Sequence, residues 1–163
     1  MIKIDQYSEN DQSDINSLIK EISIEFIEPI SSPDSTHKTI TVDKLWLARD
    51  NGSLLGTIGI VSLSQNNGIL KSMFVKKEFR GENLGVSKLL LTTAINWSKE
   101  KGIQNLFLGT MTQFKAAQNF YLKNGFFKID KAQLPSDFMN NPIDDLYYKL
   151  DLKKLPPTKP KLH

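Results

Sequence analysis

The sequence contains no cysteine. Disulfides, thiolate metal sites and a cysteine nucleophile are therefore excluded together. Long apolar runs are also missing. The longest, Leu54 to Leu63, is interrupted by Gly56, Thr57, Gly59 and Ser62 and is too short to cross a bilayer. The start, Met1-Ile2-Lys3-Ile4-Asp5, lacks the apolar core of a signal peptide, so a cytoplasmic location is expected and no membrane partner. Nor does one sign of charge dominate. With 21 basic and 18 acidic residues the net charge is +3, and no long basic block occurs, which argues against nucleic acid as a partner. A small polyanion needs only a local cluster, and Lys76, Lys77 and Arg80 supply one.

What is present suits a globular domain. Apolar residues make up 39% and charged residues 24% of the 163, a balance that favours a packed core over disorder. A second domain would leave neither half with a proper core. The expectation is one domain over residues 1–152 and a mobile tail over 153–163, where Leu155-Pro156-Pro157-Thr158-Lys159-Pro160 cannot sustain regular structure.

Periodicity orders the elements. Ile2 to Tyr7 alternates as a strand, and Ile15, Leu18, Ile19, Ile22 and Phe26 recur at helical spacing. Glu28 to Thr41, with Pro29 and Pro33, reads as a loop or broken short helix. Two strands then flank Asn51-Gly52, a pair suited to the positive φ angles of a tight hairpin turn. Gln65-Asn66-Asn67-Gly68 reads as the next turn and Ile69 to Val75 as the next strand. Val86, Leu89, Leu90, Ala94 and Trp97 mark a long helix that Gly102 can stop. A short strand at Leu106-Phe107-Leu108, a helix from about Gln113 to Asn124 and strands at Phe126–Ile129 and Leu146–Leu152 complete the series. This order indicates a mixed α/β (α+β) sheet with helices on its faces.

The most informative segment is a strand that enters the turn Arg80-Gly81-Glu82-Asn83-Leu84-Gly85, from which the long helix departs. Amide N–H groups at a helix start lack internal partners, and the helix dipole favours negative charge there. Glycines allow close approach of a phosphate, and Arg80 can add a charge-assisted hydrogen bond. Neither Gly-x-x-x-x-Gly-Lys-Ser/Thr nor Gly-x-Gly-x-x-Gly occurs, so this is not a P-loop or a dinucleotide fingerprint.

That turn resembles the acyl-CoA motif Gln/Arg-x-x-Gly-x-Gly/Ala of the GNAT N-acetyltransferase superfamily. Ala117-Gln118-Asn119-Phe120-Tyr121-Leu122-Lys123-Asn124-Gly125-Phe126 resembles its second signature, Ala-x-x-Phe-Tyr-x-Lys-x-Gly-Phe. Trp46, Ala48, Gly56 and Ile58 resemble the hairpin that precedes both. The resemblance implies a mixed, mostly antiparallel twisted sheet of about seven strands and about four helices, with splayed central parallel strands. It implies acetyl-CoA as cosubstrate, no metal, an amine acceptor and direct transfer in a ternary complex. A small-molecule acceptor is favoured, and a protein amino terminus or lysine is the alternative. A coenzyme A-binding sensor without turnover is the competing class. A homodimer is compatible with the family.

Site residues follow from the same resemblance. Main chain near Met73, Phe74 and Val75 is expected to pair with pantetheine and to polarise the thioester carbonyl. Arg80, Gly81, Glu82, Asn83, Leu84, Gly85, Val86 and Ser87 form the expected diphosphate cradle. Ala117 belongs to the cofactor wall, and Lys123 either meets the adenosine 3′-phosphate or is a solvated helix residue. Tyr121 matches the acid that protonates the departing thiolate; otherwise it is a core aromatic. Asn83 replaces the usual middle glycine of the turn. Phe114 replaces an asparagine that often binds pantetheine, which shifts expected binding toward backbone and apolar contacts. No glutamate stands on the Ile69–Val75 strand where relatives often hold a base. The base is left open among Glu25, Glu28, Asp34, His37, Asp137, Asp144, Asp145 and a water relay.

Overall fold

A computed structural model describes residues 1–30, 42–81 and 84–155 of the chain. The elements are β1 (Ile2–Gln6), α1 (Gln12–Ser23), β2 (Lys44–Asp50), β3 (Ser53–Ser62), β4 (Asn67–Val75), α2 (Val86–Glu100), β5 (Asn105–Thr110), α3 (Lys115–Lys123), β6 (Phe127–Ile129) and β7 (Leu146–Asp151). The seven strands form one sheet in the order β1-β2-β3-β4-β5-β7-β6. Only β4 and β5 run parallel; the other pairings are antiparallel.

Local chemistry accounts for the connections. Asn51 and Gly52 have φ of 50° and 82°, the two left-handed positions that a tight hairpin needs. At the next turn those positions fall on Gln65 and Asn66, with φ of 58° and 60°, so Asn67 and Gly68 already belong to β4. Helix α2 stops at Gly102, whose φ is 80°.

Each face of the sheet buries its own apolar cluster. Val86, Leu90, Leu91 and Ala94 of α2 cover Ile58, Ile60, Leu106 and Leu108 on one face. On the other, Ile15, Leu18 and Ile22 of α1 pack on Leu45, Leu47 and Leu54. A third cluster joins Ile69 and Phe107 to Phe138 and Tyr147.

Three α-helices flank the sheet among the described residues, in rough agreement with the expected count of about four. Most of the segment read as a loop or broken helix, residues 31–41, lies outside the described residues. The chain also keeps regular structure past the expected start of its tail. Leu152–Lys154 forms a 3-10 turn and Leu155 packs on the main core, because the Asp151 carboxylate accepts from the Lys153 amide and caps the turn. Residues 156–163 lie outside the described ones.

Candidate active site

The site begins where two strands part. The parallel register of β4 and β5 runs from Asn67↔Asn105 to Ile69↔Phe107 and stops. Beyond it, Leu108, Gly109 and Thr110 stay paired with β7, while Leu70 to Val75 stay with β3. Among the described residues the β5-facing edge of β4 therefore has no strand partner from Leu70 onward, and an extended ligand can pair there. A bulge sharpens the divergence. Ser72 and Met73 stand opposite Ile58 alone, and Ser72 has a φ of 54°. The buried Thr57 hydroxyl donates to the Ser72 carbonyl at 2.6 Å and holds the kink in place.

The gap opens into a cavity of about 1040 Å³. Met73, Phe74, Val75, Arg80, Gly81, Ser87, Ala117, Tyr121 and Lys123 all line it, so nine residues singled out in the sequence meet at one place. Val86 differs from that expectation. Its side chain is fully buried in the core beneath α2, so only its amide can face a ligand. Leu84 is half exposed and, like Gly85, is not among the lining residues. Glu82 and Asn83 lie outside the described residues.

Gly81 and Gly85 shape the turn through their backbones. Their φ angles are 110° and 69°, a region costly for other residues, and a Cβ on either would meet no protein atom within 4 Å. Leu89 N–H donates to the Gly85 carbonyl at the start of α2, and the amides of Val86, Ser87 and Lys88 make no backbone bond to another described residue. Arg80 has partners of its own. Its Nε donates to the Val75 carbonyl at 2.9 Å, and its two terminal nitrogens reach both Glu25 oxygens at 2.6 and 2.9 Å.

The segment after α1 closes one side of the cavity. Phe26 meets Phe114 edge-on with ring centres 4.8 Å apart. The Glu28 amide donates to the Gln113 side chain at 3.2 Å, and that side chain donates back to the Glu28 carbonyl at 3.1 Å. Phe114 therefore serves as a wall aromatic at the start of α3.

Tyr121 is buried among Phe126, Tyr148 and Phe120, with ring centres 5.4, 6.1 and 5.9 Å away. Burial, reinforced by the charge of Asp144, pushes its phenol well above the usual range, so it holds its proton.

The structure separates the candidate bases. Glu25 is paired with Arg80. Asp145 accepts from the Thr112 amide and hydroxyl at 2.8 and 2.9 Å, and Asp137 accepts from the Ser64 amide, so both brace loops. Asp34 and His37 lie outside the described residues. Glu28 contributes main-chain bonds to Gln113 and is exposed.

Asp144 alone among the described candidates combines a place on the cavity wall with a perturbed carboxyl. Its carboxylate lies against Gly109, in space that a side chain on β5 would fill. Burial raises its pKa to about 6, with Lys71 pulling it down and Asp145 pushing it up. Lys71, on β4 across the gap, was not foreseen; burial lowers its pKa and Asp144 opposes that shift. A single glycine inside an apolar strand signals close approach, and Gly109 was the available clue.

Two parallel strands that part beside the start of α2, with the Asp144 carboxyl and the Tyr121 phenol lining the opening, make up the site. The chain belongs to the acetyltransferase (GNAT) family, whose model matches residues 15–126. It is 32% identical to a GNAT-family acetyltransferase from Staphylococcus aureus Mu50, covering 93% of this chain and 99% of that one with a TM-score of 0.84. The fold is also that of the PaiA N-acetyltransferase from Thermoplasma acidophilum, solved in complex with coenzyme A: 19% identity, 93% and 99% covered, TM-score 0.69. An uncharacterized N-acetyltransferase of Dictyostelium discoideum is 36% identical over 84 residues, which is 52% of this chain and 36% of that protein. The match thus spans little more than a third of that relative. No helix among the described residues is long and apolar enough to cross a membrane, and those residues hold no cluster suited to a metal ion.

Proposed function

We propose that this chain transfers the acetyl group of acetyl-CoA to a primary amine of a small molecule, with Asp144 as general base and Tyr121 as general acid. The observation that carries the proposal is the pair of titratable groups at the β4–β5 gap. The Asp144 carboxyl has a pKa raised to about 6, and the Tyr121 phenol stays protonated. Burial raises both groups, and a carboxyl that ionises at about 6 beside a phenol that keeps its proton suits opposite halves of a proton-transfer pair.

The residues present fit coenzyme A. The open amides at the start of α2, the left-handed Gly81 and Gly85 and the Arg80 fork suit a diphosphate. The unpaired edge of β4 near Met73, Phe74 and Val75 suits the pantetheine amides. A β4 N–H would also stabilise charge developing on the carbonyl oxygen. Acetyl-CoA supplies the activated acetyl group as a thioester.

The chain's own groups manage the protons. Asp144 takes one from the acceptor ammonium and frees the nitrogen lone pair to form the C–N bond. Tyr121 gives one to the sulfur as the C–S bond breaks. The nitrogen releases a further proton as the amide forms, and the phenolate recovers it.

Support for a small acceptor comes from the walls. Phe26 and Ile30 from the segment after α1, and Phe138, Met139, Asn141, Ile143 and Asp144 from the segment before β7, add walls to the cavity. The test is release of free coenzyme A thiol from acetyl-CoA over a panel of primary amines. The protein has no cysteine, so a thiol reagent meets no background from it. Amine-dependent thiol release with a matching acetylated product is expected. Acetyl-CoA binding without turnover across the panel would instead indicate a sensor domain.

A further inference from the structure

Lys71 and Asp144 form an incomplete pair. Lys71 stands on β4 two residues beyond Ile69, where the parallel register with β5 ends. The Asp144 carboxylate occupies the bare face of Gly109 on β5. Both are half-buried and line the same cavity, yet no contact of 4 Å or less joins their charged atoms. Neither charged group makes a hydrogen bond to a described residue. The two charges still act on each other across the opening.

Such an arrangement is costly unless something completes it. Half-buried charges lose part of their hydration, and a partner of opposite sign makes good that loss. Here the partners stand apart, one on each side of the gap. The same cavity carries apolar side chains, Ile30, Val42, Ile69, Phe138, Met139 and Ile143, beside the polar Thr110 and Asn141. Val42, Ile69 and Phe138 belong to one packed cluster.

We propose that the acceptor is itself amphoteric, an amino acid with an apolar side chain, whose amine faces Asp144 and whose carboxylate pairs with Lys71. The inference rests on the acetyltransferase reading and adds the substrate class to it. Lys71 is a binding and orienting residue here. By fixing the carboxylate it aims the neighbouring nitrogen, and Asp144 removes the ammonium proton that would otherwise prevent attack. The apolar wall receives the side chain. Carboxylate-free amines leave Lys71 half-buried without an anion, which is the basis for rejecting them.

Matched acceptors test this: phenylalanine against phenethylamine, and leucine against 3-methylbutylamine, each with acetyl-CoA and the full chain. The carboxylated member should be preferred in kcat/KM by at least about tenfold. Lys71→Met should collapse that ratio, chiefly by raising KM for the amino acid, and Lys71→Arg should restore most of it. Equal or better turnover of the decarboxylated member overturns the inference. So does an undiminished ratio in Lys71→Met. If that variant slows both members equally through kcat, Lys71 takes part in proton transfer and the inference also falls. Turnover of other amines but of neither pair defeats the amphoteric acceptor and leaves the transferase standing. Absence of thiol release with every amine, despite bound acetyl-CoA, defeats the transferase reading and the inference with it.

Discussion

The Asp144 carboxylate lies against the α-carbon of Gly109, in the space a side chain would take. Gly109 has no left-handed φ, so alanine there meets no backbone strain, and the nearest atoms to its methyl group belong to the Asp144 side chain. Asp144 must swing away to admit a methyl group. Gly109→Ala should therefore act as a positional variant of the base, since a displacement of about 1 Å can cost about 10²-fold in rate. Steady-state kinetics should show kcat reduced toward that extent, and calorimetry a smaller change in acetyl-CoA affinity. Full activity in Gly109→Ala would separate the seat of Asp144 from catalysis.

Titration of Asp144 links rate and stability with opposite signs. Lys71, Asp145, Tyr121 and Tyr147 are the ionisable groups coupled to it. As a base it works when ionised, so kcat/KM should rise with pH through about 6. Asp144→Asn should lower kcat about 10²–10⁴-fold and remove that limb, leaving only the acceptor's own ionisation. Stability runs the other way. An isolated aspartate titrates at 3.8, so the folded state holds this proton more tightly than the unfolded state does. The stabilising contribution is present below about pH 4 and is lost as pH rises through about 6. Asp144→Asn should thus be more stable than the parent at pH 8, by about 1 kcal/mol after allowance for solvent screening, and equal to it near pH 4. Thermal melts at the two pH values check the sign.

Much of the scaffold was legible because its signals are local. Asn51-Gly52 specifies a hairpin within two residues, and the helix start at Gly85 follows from a short turn. Tyr121 came from a motif on a single helix. What escaped depends on long-range register. Arg80 meets Glu25 and Lys71 meets the Asp144 field only because the sheet brings separate elements to one opening. Asp144 was one carboxylate among several until the end of the β4–β5 register and the bare face of Gly109 located it. Periodicity assigns a residue to a strand face; it does not say where two parallel strands part.

Tyr121 offers a clean separation of packing from chemistry. Its ring fills the space among Phe120, Phe126 and Tyr148, and phenylalanine fills that space as well. Tyr121→Phe should therefore melt close to the parent. It deletes the proton that burial keeps on the phenol, so kcat should fall about 10²–10⁴-fold. Acetyl-CoA affinity should change only a few-fold, because the lost interaction belongs to the transition state. Single-turnover rates give the decisive comparison, since slow product release could mask a change in chemistry. Equal rates in the two proteins would make Tyr121 a core aromatic.

Arg80 and Glu25 make a two-bonded ion pair on the cavity wall, and its geometry sets up competition. The guanidinium is held from behind by the Val75 carbonyl, while its outer fork faces both Glu25 oxygens. A diphosphate bound at the start of α2 would meet the same fork, so the carboxylate and the phosphate compete for one set of donors. Arg80→Ala should weaken coenzyme A by about tenfold or more, equivalent to about 1.4 kcal/mol. Glu25→Gln removes the competing charge and keeps the Val75 anchor, so it should tighten coenzyme A. The gain should shrink as salt rises, because an anion near a partly exposed site is screened. In the double variant the benefit of Glu25→Gln should largely vanish, since there is no longer a fork to release. Calorimetry on the four proteins at two salt concentrations completes the cycle. If Glu25→Gln instead weakens coenzyme A as much as Arg80→Ala does, the pair acts as a strap that holds the segment after α1 over the cofactor. The competition would then be wrong.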